Sequence, residues 1–153
     1  MTKICPMLLK YFLLVSTLSL AVCYFVYTIP QPAQTLFENN FKQVAVTIQL
    51  VVPGQSPSNV KSIPALSEEQ ADDVWNILNQ YRFRRKVKTS DSVPANSNQR
   101  TEIIISTGSN THFFMISSQG TVTVDSASYG IGYWGNSKVL KLYHLLYSYL
   151  ISV

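Results

Sequence analysis

Cysteine is almost missing from this chain, and what there is sits near one end. Cys5 and Cys23 are the only two, and neither falls in the part composed like a globular domain. A thiolate zinc site and a disulfide framework in that part are excluded by count. Histidine is as scarce: His112 and His144 stand alone, so a zinc site would need both of them and a carboxylate. There is no G-x-S-x-G elbow, no Walker A loop and no dinucleotide-binding glycine pattern. The commonest motif-borne nucleophilic and nucleotide chemistries therefore have no foothold. No internal repeat is visible, and no cofactor is implied.

Charge is missing from one long stretch, and that stretch organises the rest. Tyr11–Ile29 reads YFLLVSTLSLAVCYFVYTI without a charged residue. As a helix rising ~1.5 Å per residue it covers about 28 Å, close to the ~30 Å hydrocarbon core of a bilayer. Tyr11, Tyr24 and Tyr27 lie near its ends, where amphipathic rings favour the interface. Lys10 can snorkel to headgroups, and Pro30 and Pro32 stop the helix. Lys3 and Lys10 precede the span, and the next basic residue is Lys42. The positive-inside bias then puts the N-terminus in and the C-terminal domain out. Two rival readings release or lipidate the chain. Ser19-Leu20-Ala21 has the form of a signal-peptide cleavage site, but it leaves an apolar centre of only Tyr11–Leu18. Leu20-Ala21-Val22-Cys23 has the form of a lipobox ending on Cys23, with Val22 where a small residue is usual. Cys5 and Cys23 are also candidates for acylation, against the plainer reading of small residues in an apolar helix. The uncleaved anchor fits the length best. The expected division is 1-30 anchor, 31-40 tether and 41-153 extracytoplasmic domain.

The net charge is +4, but Lys3 and Lys10 supply two of the twelve Lys and Arg, which leaves ten against eight Asp and Glu. That near balance gives little reason to expect nucleic acid as a partner. Phe41–Val52 alternates Val44, Val46, Ile48, Leu50 and Val52 with smaller or polar residues, the period of a half-buried strand. Pro53-Gly54 closes it, and Gln55–Ala65, with Pro57 and Pro64, reads as a loop. Ser67–Tyr81 reads as a helix. Ser67 and Gln70 form a capping box, and Ala71, Val74, Trp75, Leu78 and Tyr81 share one face. Thr89–Gln99 reads as a polar loop. Thr101–Thr107, His112–Ser117 and Thr121–Asp125 read as antiparallel strands joined by tight turns. Tyr129–Trp134 is a candidate fourth, with Gly130 and Gly132 on one face where another backbone or side chain comes close. A final helix, Lys138–Ile151, carries Val139, Leu142, Tyr143, Leu146, Tyr147 and Leu150 on one side, capped by Asn136 or Ser137. The expected fold is α+β: an N-terminal transmembrane helix, then an antiparallel sheet of four to five strands packed with two helices.

Four groups of residues can carry chemistry. Arg82-Phe83-Arg84-Arg85-Lys86-Val87-Lys88 places Arg82, Arg84, Arg85, Lys86 and Lys88 in one short run. It is a candidate surface for anionic lipid headgroups, a cell-wall polymer or, less fittingly, nucleic acid. The plainer reading is a solvated helix end that complements the helix dipole. Glu68, Glu69, Asp72 and Asp73 could ligate a hard cation, but they lie on the first turns of a helix without the loop a calcium site uses. His112 has Ser106, Ser109, Ser117 and Ser118 nearby in sequence, the raw material of a hydrolase and no more. Tyr133 and Trp134, beside Gly135 in a turn, are candidate protein-contact residues within an aromatic-rich C-terminal third that is otherwise ordinary core.

The pattern Leu66–Lys88, the strands Glu102–Ser106, Phe113–Ser117 and Thr121–Val124, then Tyr129 and the closing Leu142-Tyr143 with Leu146, resembles small exported or lipid-anchored domains of unknown function from Firmicutes. The resemblance runs over Leu66–Leu150. It implies an extracytoplasmic setting and brings no catalytic residue with it. The expectation is a non-enzymatic binding or adaptor module held at a membrane through Tyr11–Ile29, with a protein partner unidentified. An envelope-associated hydrolase and an immunity or inhibitor protein masking an exported toxin or enzyme stand as alternatives.

Overall fold

The structure, a computed structural model, describes residues 6–37, 44–86, 99–107, 112–132 and 137–153. Lys3, Cys5, Lys42, Lys88, Ser109, Tyr133 and Trp134 lie outside the described residues. Helix α1 (Pro6–Tyr27) is apolar all round. Its segment Lys10–Tyr27 has a mean hydropathy of 1.5, and none of it is buried in the protein. Phe12, Leu14, Leu18, Leu20 and Phe25 are all exposed. By length and composition this helix is apolar enough to cross a membrane. It is the one such helix among the described residues. Its hydroxyls turn inward on its own backbone: Thr17 Oγ1 donates to the Leu14 carbonyl at 2.9 Å and Ser19 Oγ to that of Val15 at 2.9 Å. The helix ends where Thr28 N–H bonds back to Tyr24 and Phe25, and Pro30 then offers no donor.

From there the chain enters a sheet at once. Strand β1 (Gln31–Pro32) is followed by a single helical turn, α2 (Ala33–Leu36). The order then runs β2 (Val44–Val51), β3 (Ser58–Ile63), α3 (Glu68–Asn79), β4 (Arg82–Arg85), β5 (Arg100–Thr107), β6 (His112–Ser117), β7 (Val122–Val124), β8 (Ala127–Ile131) and α4 (Ser137–Ser152). All strands join one antiparallel sheet in the order β1-β4-β8-β7-β6-β5-β2-β3. The β-branched alternation of β2 puts Val44, Val46 and Ile48 on the inner face. Ile103 and Ile105, Phe114 and Ile116, and Val122 and Val124 follow by cross-strand register. This face meets Ala71, Val74 and Leu78 of α3 and Val139, Leu142, Leu146 and Leu150 of α4 in one buried cluster. The layers are thus helices on one face of an antiparallel sheet, as expected.

The sheet is larger than expected: eight strands, not four to five. The additional strands are those without a period-two signal. β3 lies between Pro57 and Pro64, which bracket it rather than interrupt it. As an edge strand it is mostly exposed on both faces, so its SNVKSI carries no hydrophobic alternation. β4 begins where a helix end was expected, because α3 stops at Asn79, capped by Gln80. Only Phe83 of β4 is buried. β8 starts at Ala127, ahead of the expected Tyr129, and stops at Ile131. The capping box of α3 forms as read: Gln70 N–H donates to Ser67 Oγ at 3.2 Å and Ser67 N–H to Gln70 Oε1 at 2.9 Å.

The stretch read as a tether contributes to the core. Ala33 and Phe37 are fully buried. The Phe37 ring lies edge-on to Trp75 of α3, with centroids 6.1 Å apart, and 5.8 Å from Phe114, which in turn meets Phe83 at 5.9 Å. Phe37 is therefore the plug between helix layer and sheet. Phe37→Ala is expected to cost about 3–5 kcal/mol, the usual range for a buried aromatic. Chemical denaturation of the detergent-solubilised chain measures it. A change within about 0.5 kcal/mol, as for a surface position, would show that 31–37 is not part of the folded unit.

Candidate anionic-surface site

β1 sets where the basic strand lies. Gln31 pairs with Phe83 and Pro32 with Arg82, immediately after the end of the apolar helix. Neighbouring strands lie ~4.8 Å apart, less than the ~8 Å Debye length at physiological salt. Charges on β4 are therefore scarcely screened from whatever surrounds the helix exit. Inner-face register runs from Val122 to Tyr129 and on to Arg85, so a row of apolar side chains ends at the sheet edge in an exposed arginine. The Arg85 guanidinium stands over the Tyr27 ring, 4.8 Å from its centroid. That contact ties the last residue of α1 to β4.

Arg84 and Lys86 belong to the other face. Arg84 is half-buried and pairs with Gly130. Lys86 N–H donates to the Ser128 carbonyl at 2.8 Å, and the Lys86 side chain crosses Gly130 so closely that a Cβ there would stand 3.0 Å from its Cε. Gly132, at φ +76°, has the same relation to Lys138, whose Cδ would lie 3.6 Å from such a Cβ. Both glycines are thus where lysine stems pass, the close approach their pattern suggests.

Two concavities flank β4. One, of about 500 Å3, lies between Tyr27, Gln31, Thr35, Arg85, Lys86 and Ser128. The other, of about 600 Å3, lies between Pro30, Tyr81, Arg82, Gly132, Lys138 and Lys141. Burial raises the Tyr81 phenol above its ordinary pKa, so it stays a hydrogen-bond donor at neutral pH. Among the described residues, none of Arg82, Arg85, Lys86, Lys138 and Lys141 forms an ion pair with a carboxylate, whereas Arg100 pairs with Glu102 at 2.7 Å. Lys138 and Lys141 lie on the first turns of α4. More than fifty residues separate them from Arg82, so no spacing rule joins them. The available signal was their place on the first turns of a helix with no acidic residue in its first turn, where the dipole disfavours cations.

The remaining candidates fall elsewhere. Cys23 is exposed on α1. Of the acidic residues on α3, Asp73 Oδ2 accepts from the Tyr149 hydroxyl at 2.9 Å. Burial, with Asp73 and Glu69 nearby, pushes that phenol up to about 12. Among the described residues no three His, Cys, Asp or Glu side chains converge as a metal site would require. His144 is exposed and meets Tyr143 edge-on at 5.4 Å. His112 Nδ1 lies 2.7 Å from Asp125 Oδ2, while Phe113 N–H donates to Asp125 Oδ1 at 2.8 Å. This pair closes the β7–β8 turn, where Asp125 and Ser126 take φ of +49° and +82°. Positive φ at both central positions is the hairpin geometry that matches strand twist.

Of the serines named near His112, Ser106, Ser117 and Ser118 do not gather around it. Ser106 is paired with Phe113, hence on the opposite face from His112, and donates to the Ala45 carbonyl. Ser117 bonds Thr121 and Ser118 accepts from Thr101 N–H, both at the far end of β6. Comparison with protein families, with curated proteins and with solved structures finds no match to this chain.

Burial raises the Asp125 carboxyl, but the bonds from His112 and Phe113 N–H outweigh it and hold it below its ordinary value. A depressed carboxylate stabilises the fold above its unfolded pKa of ~3.9. The contribution is lost as pH falls through the lowered folded value. Acid denaturation followed by circular dichroism is expected to show this limb below about pH 4, flattened in Asp125→Asn. An unchanged acid limb in that variant would remove the pair from the account of stability.

Proposed function

We propose that this chain is a membrane-anchored, non-enzymatic binding module whose basic edge seats the domain on an anionic lipid surface. The observation that carries it is the β1–β4 pairing, which brings Arg82 and Arg85 to the mouth of a helix apolar enough to cross a bilayer. Arg84, Lys86, Lys138 and Lys141 extend the patch from neighbouring positions. Each Lys or Arg near an anionic surface contributes about 1 kcal/mol, so a handful of them orient a tethered domain without forming any specific contact. Since the tether is two residues of β-structure, the domain rides close to the surface rather than sampling space around it. The lysine at the head of the helix supports an N-terminus inside and a domain outside, the extracytoplasmic placing that the resemblance also implies.

Lysine acylation by a water-soluble ester tests this on the full chain in lipid nanodiscs. Lys86, Lys138 and Lys141 are expected to react several-fold more slowly in discs with anionic lipid than in purely zwitterionic ones. High salt is expected to restore the rate. Lys61 is the internal reference. It lies on β3, six strand spacings or roughly 29 Å from β4 across the sheet, and donates to the Leu150 and Ile151 carbonyls at 2.9 and 3.3 Å. Equal reactivity of the three lysines in both kinds of disc would sink the reading. Protection by an anionic wall polymer and not by lipid would hand the patch to that partner instead.

A further inference from the structure

We infer that the concavity between β4 and the start of α4 is a discrete site for one phosphate-bearing anionic lipid headgroup, gripped by Arg82, Lys138 and Lys141. This rests on the lipid-surface reading above and narrows it from a diffuse patch to a stoichiometric site. Three cations from two separate elements face one space of about 600 Å3, with no carboxylate among the described residues that line it. Cations gathered in a concavity repel one another and focus a positive potential into it. The arrangement becomes favourable when an anion supplies the missing charge. The Lys138 side chain is exposed but folds back along the chain. Its amine comes within 3.7 Å of the Cβ position at Gly132, folded over the wall of the cavity, and Gly132 leaves the lane for it.

The chemistry of the wall selects among anions. Arginine offers a planar fork and the lysines mobile point charges, the pairing that suits phosphate oxygens. Tyr81 and Gln80 add neutral donors at the rim. The location selects the source. Pro30, which follows the end of the span directly, forms part of the same wall, so the cavity opens at the level where a headgroup lies and its acyl chains can stay in the bilayer beside α1. The second concavity has the Asp125 carboxylate on its lining and lacks this uniform sign.

Native mass spectrometry of the full chain, extracted from bilayers of mixed zwitterionic and anionic phospholipid, reads the site. One retained anionic lipid per chain is expected. Lys138→Gln with Lys141→Gln is expected to lower its retention by at least about tenfold, since both charge-assisted bonds to the headgroup are lost. Lys138→Arg with Lys141→Arg is expected to keep it, which separates loss of charge from loss of fold. Undiminished retention in the glutamine variant would overturn the site. So would displacement of the lipid by millimolar inorganic phosphate, which would make the ligand a soluble anion. Salt-sensitive lysine protection without any retained lipid would overturn this inference and leave the surface-seating function intact.

Discussion

Two backbone pairings, Gln31 with Phe83 and Pro32 with Arg82, hold the rest of this molecule in relation to its N-terminal apolar helix. They satisfy the edge of β4, which would otherwise present unpaired N–H and C=O groups. They also leave no flexible linker between span and sheet. The chain then turns through α2 and sends Ala33 and Phe37 into the core, so the exit from the helix is fastened by both hydrogen bonds and burial. That fastening holds Arg82 and Arg85 beside the end of the apolar helix.

The two packed helices treat their dipoles in opposite ways. α3 opens on Ser67 with a capping box and places Glu68 and Glu69 in its first turn, with no basic residue in its last. Its positive end is thus complemented from within the helix. α4 opens with Lys138 and no acid in its first turn. Its stability comes instead from the buried face Val139, Leu142, Leu146 and Leu150, and its far end is completed by Lys61 donating to the Leu150 carbonyl and by Tyr149 bonding Asp73 of α3. A local rule is obeyed at the start of α3 and broken at the start of α4. Such departures mark sites at which local stability is traded against another requirement.

The His112–Asp125 pair illustrates how proximity in sequence misleads about chemistry. A base and its orienting carboxylate stand at 2.7 Å, half of a hydrolytic constellation. Yet strand alternation sends Ser106 to the other face, and Ser117 and Ser118 are spent on the β6–β7 turn. The pair holds together a hairpin whose central residues, Asp125 and Ser126, sit in the left-handed region without a glycine. Its carboxylate gathers two donors at the place where the backbone is least favourable.

Features set by short-range physics were legible in the chain itself. The apolar helix needs only an unbroken run of uncharged side chains. β2, β5, β6 and α3 declare themselves by period and caps, because each buries one face against a common core. Strands that bury little on either face left no such trace, so β1, β3 and β4 went unread and the sheet was undercounted. Arg82, Arg84, Arg85 and Lys86 were visible as a run. Their position beside Tyr27, and the convergence of Lys138 and Lys141 on Arg82, were decided by tertiary structure alone. Pairing between strands distant in sequence is fixed by backbone hydrogen bonds that any residues can make, and it is this pairing that sets a charged segment beside the end of the apolar helix.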